Sequence, residues 1–180
     1  MQKRCLFQLS VAVALIAGLL ATPALADTSR ADLSLGMKTL PLLANKITGE
    51  TTLAILFDPA NPDSKTEAEH ISAILEEGFE APGDVRLISQ LVPVDRLDKL
   101  SGSKIAVLTG GLDAYYGVIG PAAAKDNVLT MSTDLGCVRA HQCVLGLVSR
   151  PHVEIYYSSG AADAAHIVFG PIFLRLVTPV

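Results

Sequence analysis

Asn127-Val-Leu-Thr-Met-Ser-Thr-Asp-Leu-Gly-Cys137, followed by Val138-Arg-Ala-His-Gln-Cys-Val-Leu-Gly-Leu-Val148 and His152-Val-Glu-Ile-Tyr-Tyr157, is the stretch that decides the fold. Val128 to Met131 is an apolar run suited to a strand, and a loop holding two cysteines follows it. The segment from Cys143 to Tyr157 reads as a β-hairpin turning at Ser149-Arg150-Pro151. Gly160 to Phe169 is Ala-rich and predicts a helix that can approach a sheet closely. Pro171 suits the first turn of a second short helix through Leu176. Such a unit needs a larger sheet to sit on, and the upstream residues supply one.

Leu33, Leu35, Met37, Leu40, Leu42, Leu43 and Ile47 form a partial helical stripe that Pro41 interrupts. Thr52 to Phe57 is a near-continuous apolar run, the pattern of a strand covered on both faces. Asp58-Pro-Ala-Asn-Pro-Asp-Ser64 is a loop by composition, and Ser64-x-x-Glu67 predicts a capping box at the helix behind it. In that helix Ala68, Ile71, Ile74, Leu75 and Gly78 share a face, with Glu67, Glu69, Glu76 and Glu77 towards water. The unit then repeats. Val85 to Val92 is a strand, Val94 to Leu100 a short helix, and Lys104 to Thr109 a second buried strand ending in Gly110-Gly111. Leu112 to Lys125 is a helix in which Gly120-Pro121 is a candidate break. Three strand-helix repeats imply a parallel sheet with right-handed crossovers and helices on both faces. The expectation is a three-layer α/β/α single domain over residues 27–180, mainly parallel, with the hairpin antiparallel at one edge.

Residues Met1 to Ala26 read as a cleaved signal peptide. Lys3 and Arg4 form a positive start, Leu6 to Leu20 is apolar, and Ala24-Leu25-Ala26 is a small-residue cleavage site. Its removal leaves 154 of 180 residues, takes two of 14 Lys and Arg and none of 18 Asp and Glu, and moves the formal net charge from −4 to −6. That balance excludes gripping nucleic acid, which needs clustered Lys and Arg. The expected compartment is the periplasm.

Cys5 leaves with the leader, so two cysteines remain, Cys137 and Cys143. In an oxidising compartment an even count reads as a disulfide. A metal reading through Cys137, His141, Cys143 and His152 matches no common zinc spacing, and no metal is expected.

Open α/β sheets bind ligands at the C-terminal ends of their strands. Three such ends carry polar residues: Asp58, Asn61 and Ser64; Thr109, Gly110 and Gly111; and Thr133 with Asp134. Backbone amides at the start of the helix after Ser64 add a candidate anion contact. The competing reading makes Asp58, Asn61 and Ser64 turn and cap residues. Gly110-Gly111 lacks the third glycine of a dinucleotide fingerprint, no Gly-Lys-Ser/Thr occurs, and no Gly-x-Ser-x-Gly elbow is present. No cofactor and no enzymatic activity are expected.

With these elements placed, the chain resembles the YfiR-like family of periplasmic proteins. The matching residues are Val128-Leu-Thr-Met-Ser-Thr-Asp134, the Cys-containing loop, Val153-Glu-Ile155, Ala161-Ala162 and Phe173-Leu-Arg-Leu176. The resemblance implies an exported regulator that binds the periplasmic part of an inner-membrane diguanylate cyclase and holds it inactive in cyclic-di-GMP signalling. It also implies that Cys137 and Cys143 form a family disulfide. A second, earlier family disulfide has no counterpart, and Asn45-Lys46-Ile47 stands where the family carries aromatic residues. The alternative reading rests on Ala54 to Gly78, which looks like one lobe of a periplasmic solute-binding protein. One lobe would sense a small molecule alone, or a homodimer would complete the cleft.

Overall fold

Along the first long strand, alternate side chains enter two different cores. Leu53, Ile55 and Phe57 face one side, Ala54 and Leu56 the other, and all are buried. That two-sided burial is what a continuous apolar run requires, and it fixes a layer of helices above and below the sheet. The computed structural model describes residues 28–180; the expected leader lies outside the described residues.

The elements run α1 (Arg30–Met37), β1 (Gly49–Phe57), α2 (Pro62–Glu76), β2 (Val85–Pro93), β3 (Ile105–Leu108), α3 (Tyr116–Lys125), β4 (Leu129–Ser132), α4 (Leu135–Arg139), β5 (Leu145–Val148), β6 (Glu154–Tyr157), α5 (Ser159–Ala164) and β7 (Thr178–Pro179). Sheet order is β2-β1-β3-β4-β5-β6-β7. The pairs from β2 through β5 are parallel, β5–β6 is antiparallel and β6–β7 is parallel. The hairpin therefore enters through a parallel β5, and only its second arm reverses direction. The order changes sense between β2-β1 and β3-β4, which puts a topological switch point between β1 and β3.

One face carries α1 and α2 over Leu53, Ile55, Ile105, Val107, Leu129 and Met131. The other packs Tyr116, Ile119 and Ala123 of α3 against Ala54, Leu56, Ala106 and Leu108, with Cys137 and Cys143 buried beside them. Gly36 lets α1 lie directly on the sheet, since a Cβ there would stand 2.6 Å from Met131 Sδ and 3.0 Å from Leu147 Cδ1. At the far edge Phe169 stacks on Phe173 at 3.7 Å between centroids, and Tyr157 meets both edge-on, binding β6 to the C-terminal segment.

Several local expectations change. The leading helix starts at Arg30 rather than Leu33, under a capping box in which Ser29 and Asp32 bond each other's backbone amides. It ends at Met37; the stripe beyond it is a short 3-10 turn at Leu40–Leu42 containing Pro41. The capping box expected at Ser64 is absent. Asn61 caps α2 instead, accepting from the Asp63 and Ser64 amides, because Pro62 is preorganised for the first helical position and starts the helix earlier. Pro121 does not split α3. The carbonyl it frees belongs to the turn at exposed Gly117, where water can reach it. Within the cysteine loop Leu135–Arg139 is helical, capped by Asp134. The Ala-rich helix stops at Ala164, and His166 follows with φ 52°. The second C-terminal helix is one 3-10 turn at Phe173–Arg175.

Candidate functional site

The sequence-predicted residues gather at one end of the sheet, where β1, β3 and β4 finish, and hydrogen bonds link them into a continuous rim. Thr109 follows β3 and its Oγ1 donates to the Leu56 carbonyl at 3.0 Å. A hydroxyl has one proton, so the 2.7 Å contact between Ser64 Oγ and Thr109 Oγ1 must be donated by Ser64. Ser64 Oγ in turn accepts the Asp58 amide at 3.0 Å. One serine thus ties the end of β1, the start of α2 and the end of β3.

The other strand ends are joined by Glu67, which sequence reasoning placed in water. It is 7% exposed. Its Oε2 accepts the Gly110 amide at 2.8 Å, and its Oε1 accepts both the Thr28 amide at 3.0 Å and the Thr28 hydroxyl at 2.6 Å. With the Thr28 proton so placed, Thr133 donates in the 3.1 Å contact between their hydroxyls. Thr28 and Glu67 therefore stitch the ends of β3 and β4 together. A sequence signal for Glu67 existed: it stands three residues after Ser64 and four before Ile71, on the buried stripe of α2. Thr28 had none, lying outside any periodic segment.

Asp134 closes the rim on the opposite face. Its Oδ1 accepts the Gly136 amide at 2.8 Å as the cap of α4, and its Oδ2 accepts the Tyr116 hydroxyl at 2.6 Å. Burial, then the bond to this carboxylate, pushes the Tyr116 phenol far above its ordinary value, so it remains a proton donor. Asp58 makes an Asx turn to the Ala60 amide at 2.9 Å, and Asn61 spends its side-chain oxygen on the cap of α2. Gly111, at φ 74°, passes so close to Asn61 that a Cβ would stand 2.7 Å from its Nδ2. All eight expected residues thus lie together at this end of the sheet. The amides after Ser64 expected to meet an anion lie inside α2, which begins at Pro62, and Lys65 N already donates to the Asn61 carbonyl at 3.1 Å.

Cys137 and Cys143 form a disulfide with Cα atoms 5.3 Å apart. Neither is available to a metal as a thiolate, and among the described residues no group of three or more His, Cys, Asp and Glu is placed to hold one. Between the two cysteines, His141 adopts φ 55° and its Nδ1 meets Ser158 Oγ at 2.9 Å. That contact has the composition of a nucleophile and base, but Ser158 is fully buried and accepts the Ala161 amide as the cap of α5. It anchors the disulfide loop to the last helix.

No family model matches the chain, and no curated relative does. Solved structures do. An ABC domain in complex with L-Trp from Streptococcus pneumonia aligns at TM-score 0.57 and 12% identity, over 84% of this chain and 60% of that one. A conserved domain protein from Vibrio cholerae aligns at TM-score 0.59 and 9% identity, over 83% and 59%. A ligand-free, open substrate-binding protein with adhesive properties from Clostridium difficile aligns at TM-score 0.58 and 9% identity, over 83% and 58%. The chain spans about 60% of the length of these structures. What they share with it is the fold, a mixed α/β architecture also used by substrate-binding proteins.

Proposed function

We propose that this chain is a ligand-sensing or solute-binding module of the periplasm, built as a single α/β lobe and without a catalytic role. The observation that supports it is the likeness in fold, over 83–84% of the chain, to a domain solved with L-Trp and to a substrate-binding protein. The rim adds to it. Its polar groups are committed to one another, which suits a rigid frame rather than a centre that must exchange protons. Export follows from the leader, and the buried disulfide accords with an oxidising compartment. A second copy, or another protein, would supply the wall that a lone lobe lacks.

A second reading has its own support. The disulfide lies where the YfiR-like resemblance implies one, and the C-terminal segment exposes Val168, Ile172, Leu174 and Leu176, each more than half accessible. Exposed aliphatic side chains in one segment suit contact with a partner protein, here the periplasmic part of a membrane diguanylate cyclase. Isolation of the protein from envelope extract separates the two. A small molecule released on denaturation supports the sensor; stoichiometric recovery of a membrane cyclase with no small molecule supports the regulator and overturns the sensor.

A further inference from the structure

At the opposite end of the sheet, where β1, β3 and β4 begin, lies a groove of about 670 Å³. That volume is within the range of small-molecule sites, about 300–1,000 Å³. One wall is the segment leading into β1, with Leu43, Lys46 and Ile47; the other is the segment after α5, with His166, Ile167 and Val168. The walls are zipped to each other by the main chain: the Ala44 amide donates to Val168 O and the Gly170 amide to Leu42 O, both at 2.8 Å. Thr51 and Thr52 of β1, Lys104 before β3 and Asn127 before β4 complete the lining. The groove is thus built on the sheet, with its two walls joined by backbone hydrogen bonds.

Its chemistry is unlike that of the chain as a whole. The protein is acidic, with 18 Asp and Glu against 14 Lys and Arg, yet this groove gathers Lys46 and Lys104 with a single carboxylate, Glu50. Glu50 already faces Arg86 at 3.9 Å, whereas among the described residues neither lysine has an ion-pair partner. Val168 is 57% exposed, leaving apolar surface uncovered beside these amines.

We propose that this groove binds a free aliphatic monocarboxylate, its head taken by Lys46 and Lys104 and its chain lying along Leu43, Ile47, Ile167 and Val168. The reading rests on the sensing module proposed above and gives it a ligand class and a place. The apolar lining is aliphatic, with no Phe or Tyr to stack a planar ring. The cations are lysines, whose compact ammonium groups attract a carboxylate head as point charges. Ligand therefore enters at the end of the sheet away from the interlocked rim.

Calorimetric titration of tag-free protein with octanoate, 1-octanol and acetate tests it. Octanoate should saturate one site. Octanol, lacking the charge, and acetate, lacking the chain, should each bind at least tenfold more weakly. The K46Q/K104Q double variant should lose at least tenfold in octanoate affinity while its melting temperature stays unchanged, since both lysines are exposed; D58N, at the rim, should bind as the unmodified protein does. Absence of saturable octanoate binding, equal affinity for octanol, or undiminished binding by K46Q/K104Q overturns the groove assignment. Octanoate binding that D58N weakens and the lysine variant retains overturns the groove and leaves the sensing module standing. The sensing module is tested separately, by isolating the protein from cells, and fails if no small molecule accompanies it.

Discussion

Replacing Glu67 with alanine should damage this protein far more than replacing any glutamate elsewhere on α2. The carboxylate receives three hydrogen bonds, from the Thr28 amide, the Thr28 hydroxyl and the Gly110 amide, at 2.6–3.0 Å in a nearly closed site. Hydrogen bonds to a charged group contribute roughly 1.5–3 kcal/mol each, and a buried donor left unpaired adds its own penalty. These contributions are not additive, since all three share one acceptor group, so E67A should cost about 3–5 kcal/mol. E67Q keeps one acceptor oxygen and should fall between, at about 2 kcal/mol. In urea, with a slope of about 2 kcal/mol per molar for a chain of this size, E67A should lower the midpoint by about 1.5–2.5 M. E69A on the exposed face of the same helix should stay within about 0.5 kcal/mol of the unmodified protein. A cycle with T28A adds the sharper test: the two substitutions should couple by about 1 kcal/mol or more. If E67A unfolds with E69A, or the cycle shows no coupling, the rim is not the frame described above.

Other perturbations follow from the same structure. C137S/C143S removes a link closing a loop with a sequence separation of 6; chain entropy puts the loss at about 2 kcal/mol, and unreduced, denatured protein should take up no alkylating reagent until a reductant is added. G146A should destabilise by about 1–3 kcal/mol, because the new Cβ would stand 2.6 Å from Val138 Cγ1 and 2.9 Å from Leu135 Cδ2, crowding α4 off β5. Asp32 sets part of the acid limb of stability. Burial pushes its carboxyl up, but hydrogen bonds from Ser149 and Ser29 outweigh that and hold it below 3.8. A depressed folded value means the contribution is complete above the unfolded value and lost as pH falls through the folded one. D32N should therefore be less stable at neutral pH and converge on the unmodified protein as pH falls through the depressed folded value; stability curves that stay parallel throughout an acid melt would contradict this.

Those parts of the fold that obey a period were legible in the sequence. β1 and β3 are continuous apolar runs because both their faces are covered, and no loop segment shows that pattern. The β-α alternation then carried the parallel sheet. Long-range pairings left no such trace. β7 is two residues, Thr178–Pro179, too short to show a strand period, and it pairs with β6 at Tyr156 and Tyr157. Asn61-Pro62 looked like loop because both residues are turn formers, yet an N-cap followed by Pro at the first helical position is equally a helix start. At the candidate site the eight residues were found by position, at strand ends. Their mutual use was hidden, because it runs through Thr28 and Glu67, 39 residues apart. The groove at the other end was invisible for a similar reason: Lys46, Lys104 and His166 meet only after the sheet has formed.

Native mass spectrometry of tag-free protein released from cells by osmotic shock bears most directly on the proposal of an exported single-lobe binder. The account predicts the mass of residues 27–180 with one disulfide, and a second population carrying one small molecule that is shed on denaturation. A chain that stays with the membrane fraction at full length, or a processed chain that is bare in every preparation, would contradict it.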